Sequence, residues 1–548
     1  MPHDDHKYVF VIGGVMSGVG KGITSASIGS ILQDKGYKVN LVKVDPYLNV
    51  DAGTMNPTEH GEVFVLNSGL ETDQDLGNYE RFMDRDQAHE DYITSGMVYR
   101  DVIERERRLE YGGKCVEAVP HIRDEIISRF QRAANKNDSD VSVIEIGGTV
   151  GDYQNIMFIE AARVLKIYNP KNVQFVLVSY LPIPDKIGEM KTKPTQNAVR
   201  QLNSYGVQTD LLIARSEKAL DQKRKEKIAI SCNIYPDKVI SAPDIESIYD
   251  VPINFEADSL GQILLDGLKL ESRSENGLIK WREFVDKTKS AEKKVKIAVV
   301  GKYFDSGEFL LSDAYVSVIE AIKFSSYEMN AEPEIFWLNS KEFGKDPEKV
   351  EELREYDGII VPGGFGERGI EGKINVIRFA REERTPYFGL CYGMQLLLVE
   401  YARNVLGLDD ANTAEIDPDA DHLIIDVMES QKDNIENSKM GGTMRLGTYE
   451  AKLKEGSMVR RAYGKDSIEE RHRHRYEVNP AYREQLEKSG MIFSGVSPDG
   501  SLAEISELPE TEHPFFVGTQ FHPEFLARPL RPHPLFNLFI KTALDRQK

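Results

Sequence analysis

Short apolar runs recur along this chain, each followed by a stretch whose apolar positions have helical spacing. The first, Tyr8 to Ile12, leads into a glycine-rich loop, a helix-like segment from Ile23 to Lys35, and a second apolar run from Val39 to Val44. Strand, helix and strand in that order predict a parallel sheet. Runs at Val141 to Ile146, Val173 to Val178, Thr209 to Ala214 and Lys238 to Ile240 extend it. From about Lys269 the pattern gives way to charge, ending Asp286-Lys287-Thr288-Lys289-Ser290-Ala291-Glu292-Lys293-Lys294. A linker is expected at 269–294, between a first domain at 1–268 and a second at 295–548. The second series opens at Val295 to Lys302, passes through Gly358 to Gly364, and reaches Phe388-Gly389-Leu390-Cys391-Tyr392-Gly393-Met394-Gln395 ahead of an apolar helical stretch. The fold class is α/β in both halves. The acidic segment 409–421 and the polar segment 430–439 read as solvated loops.

Composition narrows what such a chain can do. With 40% hydrophobic residues it can bury a core in each domain. Lys plus Arg number 69 against 89 for Asp plus Glu, a net charge of -20 that opposes bulk attraction to nucleic acid or anionic lipid. Small molecules are the expected partners, with no nucleic acid and no membrane, and any anionic ligand must be held by local groups. Cys115, Cys232 and Cys391 form no CxxC pair, so neither a disulfide framework nor a zinc cluster is implied, and a cytoplasmic setting fits. The polar N-terminus and the lack of a long uninterrupted apolar run predict neither a signal peptide nor a membrane span.

The loop Gly13-Gly14-Val15-Met16-Ser17-Gly18-Val19-Gly20-Lys21-Gly22 has the composition of a phosphate cradle. Backbone amides and a helix N-terminus face the anion there, and Lys21 adds a point charge. It departs twice from the usual GxxxxGK[ST] pattern: Val15 stands at the first glycine, and Gly22 replaces the Ser or Thr whose hydroxyl helps hold Mg2+. The metal then needs other oxygen ligands, and carboxylates at strand ends are the natural source. Glu145 ends such a strand, and Glu71-Thr72-Asp73-Gln74-Asp75 supplies more acids. A second basic cluster, Lys191-Thr192-Lys193-Pro194-Thr195-Gln196, is expected to be extended, because proline disfavours helix at the residue before it. Spacing alone leaves it a solvated surface.

Cys391, flanked by Gly389 and Gly393, has the pattern of a nucleophile elbow, in which a strained strand-to-helix turn pushes the side chain into solvent. The helix N-terminus would favour its thiolate. A lone cysteine is more often part of a core. Downstream, Gln520-Phe521-His522-Pro523-Glu524 offers a base and a carboxylate. In an extended segment positions i and i+2 point the same way, so Glu524 would orient His522 while the imidazole takes the thiol proton. Alone, His522 would read as a structural histidine. His472 and His474, interleaved with arginines, invite a nucleic-acid reading that the net charge opposes.

Taken in order, these segments resemble the CTP synthase family. The resemblance is carried by the glycine-rich loop, Lys43 to Asp51, His60 to Val65, Glu145 to Asp152 and Lys191 to Gln196, then by Gly441-Gly442-Thr443-Met444-Arg445-Leu446-Gly447 and Glu470 to Asn479. The G-x-C-x-G-x-Q and H-P-E pieces are similar to those of class I glutamine amidotransferases. Two Rossmann-like domains are implied: an N-terminal P-loop domain of dethiobiotin-synthetase-like type with a parallel sheet, and a C-terminal class I glutamine amidotransferase domain. The implied activity is ATP-dependent amination of UTP to CTP through a 4-phosphorylated UTP. Ammonia would come from glutamine through Cys391, His522 and Glu524 and pass between domains, with activation by GTP and inhibition by CTP.

By the same resemblance, Gly18, Val19, Gly20, Lys21, Gly22, Ile23 and Lys43 attend the ATP phosphates, Pro243, Asp244 and Ile245 the adenine, and Asp75 and Glu145 hold Mg2+. Ser17, Lys191, Thr192, Lys193, Pro194, Thr195, Gln196 and Lys227 match positions that hold UTP or CTP. Asp152, Tyr153 and Gln154 match a CTP-contacting segment, with Gln154 standing where the family usually has an acid. Gly364, Tyr392, Gly393 and Met394 are expected around glutamine, the amides of Gly364 and Tyr392 serving its oxyanion, and Gln395, Glu415 and Arg475 to grip it. Arg368 matches a GTP-linked loop, and Phe304 to Ser312 is several residues longer than in relatives. A homotetramer is implied. The runner-up is another P-loop amidotransferase such as a cobyric acid synthase, against which the Lys191 to Gln196 motif argues.

Overall fold

The apolar runs become strands buried on both faces, as a sheet covered by helices requires. The structure, a computed structural model, describes residues 5–56, 60–184, 189–301, 312–364, 366, 369–428, 431, 434 and 441–547. Contacts divide the chain into two compact units, Met1–Asp51 with Asp75–Val285, and Ala52–Gln74 with Asp286–Lys548.

In the first unit the strands are β1 (Lys7–Gly14), β2 (Val39–Asp45), β3 (Tyr92–Thr94), β4 (Val141–Ile146), β5 (Val173–Tyr180), β6 (Leu211–Ser216) and β7 (Val239–Pro243). They form a seven-stranded sheet in the order β3-β2-β4-β1-β5-β6-β7. Every neighbouring pair is parallel, as the sequence pattern predicts. The chain leaves β1 for β2 on one side and returns for β5 on the other. The end of β1 is therefore a topological switch point, where open α/β sheets bind ligands. The glycine-rich loop starts there and runs into helix α1 (Lys21–Asp34). Register puts Lys43 of β2 directly opposite Glu145 of β4.

The largest sheet of the second unit has nine strands among the described residues: β8 (Lys293–Gly301), β9 (Ala331–Asn339), β10 (Gly358–Val361), β11 (Tyr387–Leu390), β12 (Arg445–Leu453), β13 (Ser467–His474), β14 (Ile492–Val496), β15 (Ala503–Glu507) and β16 (Phe516–Thr519). Their order is β9-β8-β10-β11-β16-β15-β14-β12-β13. The first five are parallel and the rest antiparallel. Strand β11 feeds helix α2 (Tyr392–Asn404) across Cys391. Its parallel register with β16 pairs Leu390 with Thr519, so the residues after each strand are neighbours.

Several local expectations are corrected. The charged stretch near 280 folds as a helix, Ile279–Lys289, because Trp281, Phe284 and Val285 form an apolar stripe that is buried. The Trp281 ring stacks on Tyr249 at 5.7 Å. Lys193 is helical, not extended: Lys193–Ser204 is a helix with Pro194 in its first turn, where a missing N–H costs nothing. Within 409–421, Asn412–Thr413 pairs with Leu423–Val427. Apart from Gln431 and Asn434, residues 430–439 lie outside the described residues, as do Arg368 and residues 304–311 of the long loop. Among the described residues no helix is long and apolar enough to cross a membrane.

Candidate active sites

The phosphate loop closes over the switch point through left-handed turns at Gly18 (φ +69°) and Gly20 (φ +89°), the latter capping α1. Val15 also has a positive φ, +78°, at the place where the usual loop carries glycine. A β-branched residue there is strained. Lys21 folds back across the end of β1 and donates to the Gly148 carbonyl at 2.9 Å. Gly13 leaves room for it, since a Cβ there would meet Lys21 Nζ at 2.9 Å. Burial pulls the Lys21 ammonium below its ordinary value, against the field of Glu145.

Gly22 has a stronger reason to be glycine: a Cβ at that position would lie 2.2 Å from Asp75 Oδ1. The carboxylate of Asp75 thus occupies the ground where a Ser or Thr side chain would reach. Lys43 lies between Asp75 and Glu145, in contact with the first and 2.9 Å from Oε1 of the second. Burial opposes the charge on Asp75, but Lys43 outweighs it and holds the carboxyl below its usual range. Burial dominates at Glu145 and raises it, with Lys43 opposing. A half-buried and a buried carboxylate at the mouth of a phosphate loop fit Mg2+, which takes oxygen ligands from protein, phosphates and water. Among the described residues no larger cluster of His, Cys, Asp or Glu gathers for a metal.

One pocket joins this loop to the end of β7. Gly20 and Ile23 line it with Arg215, Pro243, Asp244 and Ile245. Arg215, not foreseen from sequence, donates to the Pro243 carbonyl at 3.2 Å and pairs with Asp244 at 2.9 Å. Of the expected pyrimidine-nucleotide residues, Lys191 pairs with Glu189 at 2.9 Å. Its hydrogen bond and charge hold Glu189 below its usual range. Tyr153 and Gln154 are exposed. Asp152 accepts from the Thr149 amide at 2.6 Å. Thr195 is buried with its hydroxyl 2.8 Å from Ser179 Oγ, so its side chain faces the core.

The second unit holds the thiol. Cys391 has φ +50° and ψ −97°, a strained turn, and its amide donates to the Thr519 carbonyl at 2.6 Å. Glycines flank the turn because there is no space for side chains: a Cβ at Gly393 would meet the Val361 carbonyl at 2.1 Å. Cys391 is 4% exposed, so it is not pushed into solvent but lines a cavity with Gly363, Gly364, Arg473, His522 and Glu524. His522 Nδ1 lies 2.7 Å from Glu524 Oε1. The segment is not extended. Pro523–Leu526 forms a 3-10 turn, favoured by Pro523 in its first positions, and this turn brings the two side chains together. Burial opposes charge on the imidazole, but Glu524 and the Cys391 sulfur outweigh it and raise His522 to about 10. The base therefore holds a proton firmly at neutral pH.

The other expected glutamine residues do not all reach this cavity. Met394 is fully buried and packs against Gly518 in the core. Glu415 accepts from the Gly366 amide at 2.7 Å. Arg475 donates to Gln431 at 2.8 Å and Thr443 at 2.9 Å. Gln395 donates to the Tyr476 carbonyl at 3.0 Å.

Both halves of the chain match known families. Residues 7–270 match the model of the CTP synthase N-terminus, and residues 310–542 that of class I glutamine amidotransferases. A CTP synthase of Shouchella clausii is 48% identical over 543 residues, 99% of each chain. One of Halalkalibacterium halodurans is 49% identical over 541 residues, 98% of this chain and 99% of that one. The chain belongs to the CTP synthase family. Its activity is the family's, a carbon–nitrogen ligation with glutamine as amido donor. The glutaminase domain of Trypanosoma brucei CTP synthase, solved with bound acivicin, is 36% identical and covers 46% of this chain and 94% of its own, with a TM-score of 0.42.

Within this CTP synthase family fold, two cavity residues escaped the sequence analysis. Arg473 is held by Glu71 at 2.8 Å, and Glu62 accepts from the Ser317 amide at 3.2 Å. Both depend on residues 52–74 folding with the second unit, a long-range event without a local signal. Close by, Arg445 forms a two-pronged pair with Glu504 at 3.1 and 2.7 Å, with side-chain exposures of 8% and 0%. Arg445→Met strands a buried carboxylate, and denaturant unfolding should show a loss of about 3–5 kcal/mol. Most of it should return in Arg445→Met/Glu504→Leu.

Proposed function

We propose that the second unit releases ammonia from glutamine at Cys391 and that the first uses it to aminate a phosphorylated UTP. The gathering of Cys391, His522 and Glu524 around one cavity carries this reading. The thiol proton resides on His522, and the sulfur attacks the glutamine carboxamide carbon, forming a C–S bond. The amides of Gly364 and Tyr392 stabilise the oxyanion, a donor role worth about 3 kcal/mol each in comparable sites. The C–N bond breaks as His522 returns the proton to the leaving nitrogen. Water then hydrolyses the glutamyl thioester to glutamate. Gln395, Glu415 and Arg475 would hold the glutamine backbone groups.

In the first unit, Lys21 and Lys43 orient and neutralise the ATP phosphates while the γ-phosphoryl group passes to the UTP O4, releasing ADP. Ammonia adds at C4, and phosphate leaves with the oxygen. Asp75 and Glu145 would hold Mg2+, which supplies charge neutralisation to the phosphates when bound. Pro243, Asp244 and Ile245 are assigned to adenine. Ser17, Asp152 to Gln154, Lys191 to Gln196 and Lys227 are assigned to UTP and CTP. Ammonia is mostly protonated in bulk water, so a protected passage is part of the proposal. GTP activation linked to Arg368, inhibition by CTP, a homotetramer and a cytoplasmic location rest on the motif resemblance and on three unpaired cysteines. UTP amination assayed with glutamine or ammonia, each with and without GTP, tests the whole. Glutamine turnover should rise with GTP and ammonia turnover should not. Dependence on a different acceptor than UTP would contradict it.

Glu524→Gln should lower glutamine-dependent turnover by about 10²- to 10⁴-fold, because the imidazole loses its orienting anion. It also has a stability signature. The folded state binds the His522 proton far more tightly than an unfolded chain, so that stabilisation is complete below about pH 6.5 and lost as pH rises through about 10. Thermal melts across that window should fall more steeply in the parent than in Glu524→Gln.

A further inference from the structure

Gln520 directly follows β16, and the register of β16 with β11 sets it beside Cys391. Its amide donates to the Glu504 carbonyl at 2.8 Å, and its side chain is 1% exposed. Nε2 of Gln520 donates to Cys391 Sγ at 3.5 Å, while its Oε1 accepts from Gln395 Nε2 at 3.2 Å. Gln395 Nε2 donates in turn to the Tyr476 carbonyl at 3.0 Å.

That chain fixes the direction of every bond in it. A backbone carbonyl only accepts, so Gln395 must present nitrogen to Tyr476 and, with the same nitrogen, to Gln520. Gln520 must answer with oxygen, which leaves its nitrogen facing the sulfur. His474 Nδ1 lies 2.9 Å from the same Tyr476 carbonyl, which strengthens the anchor. Among the described residues the sulfur thus has an acceptor in the Arg473 carbonyl at 3.7 Å and, besides the His522 imidazole, a side-chain donor in Gln520. The acceptor can pair only with the thiol. The donor pairs with the thiolate, and more strongly because the bond is charge-assisted.

We propose that Gln520 is a further catalytic residue of the glutaminase reaction, donating a hydrogen bond that holds the Cys391 sulfur as the anion, and that Gln395 is the positioning residue that aims it. This rests on the reading of Cys391 as nucleophile. The other charged and titratable groups around the sulfur are His522 and Glu524 after β16, Arg473 and His474 on β13, Glu62 from the 52–74 segment, and Tyr392 at the start of α2. None changes when position 520 does.

The test is the pH dependence of Cys391 alkylation by iodoacetamide on the full chain, with the site read by mass spectrometry and folding checked by thermal melts. Gln520→Leu removes the donor at similar size, and Gln520→Glu sets an acceptor against the sulfur. Both should slow Cys391 alkylation at neutral pH by about 10-fold or more and move its pH midpoint upward by roughly one unit. The shift should be larger for Gln520→Glu. Gln395→Leu, which frees the amide to turn over, should shift the midpoint in the same direction but by less. Parent-like midpoints in well-folded Gln520→Leu and Gln520→Glu would overturn the proposal while leaving the nucleophile in place. Failure of the parent to label at Cys391 would overturn both.

Discussion

Cys391→Ala should abolish CTP formation from glutamine, by about 10³-fold or more, and leave formation from ammonia within about twofold. The thiol has a single task in this account. It lies on a strained turn at φ +50°, beside a histidine raised to about 10 and a carboxylate 2.7 Å from that histidine. Removing the sulfur removes the C–S bond and with it the only route from glutamine to ammonia. The ATP loop, Lys43, Asp75 and Glu145 belong to a different unit, so external ammonia should still be used. Steady-state assays with each nitrogen donor at saturating ATP and UTP check this.

Gly22→Ser should do the opposite, lowering both routes together by about 10²-fold or more, although it restores the commonest residue of a phosphate loop. A Cβ at this position would meet Asp75 Oδ1 at 2.2 Å, closer than any real contact, so either Asp75 or the start of α1 must shift. Asp75 is tied to Lys43, and Lys43 to Glu145, so the displacement spreads through every charged group at the phosphate site. The new hydroxyl cannot compensate, because the carboxylate already stands where it would act. Assays with ammonia as donor isolate the effect, since the thiol is then irrelevant.

How far these sites could be read from the sequence depended on whether their signal was local. The strands were legible because parallel strands covered on both faces need unbroken apolar runs, as in Val141–Ile146 and Val173–Tyr180. The phosphate loop and the elbow were legible because glycine, lysine and cysteine fall at fixed offsets from such runs. The absent hydroxyl at Gly22 raised the question of a replacement carboxylate, but the overlap with Asp75 has no counterpart in the sequence. Three-dimensional neighbours left no trace. Lys43 faces Glu145 through strand register, Gln520 faces Cys391 the same way, and Arg473 is anchored by Glu71, 402 residues earlier, from a segment that folds with Arg473's own unit. Pro194 misled because proline forbids helix before it in general yet suits a helix's first turn. The His522–Glu524 pair was expected for the right residues in the wrong geometry, a 3-10 turn in place of an extended segment.

The central claim is that Cys391 makes the ammonia and another site uses it. It is tested most directly by supplying amide-nitrogen-15 glutamine together with unlabelled ammonium, in the presence of ATP and UTP, and measuring the label in CTP. The parent chain should place nitrogen-15 on the cytosine amino group, and Cys391→Ala should still make CTP that carries only unlabelled nitrogen. Labelled CTP from Cys391→Ala, or loss of CTP from both sources, would contradict the account.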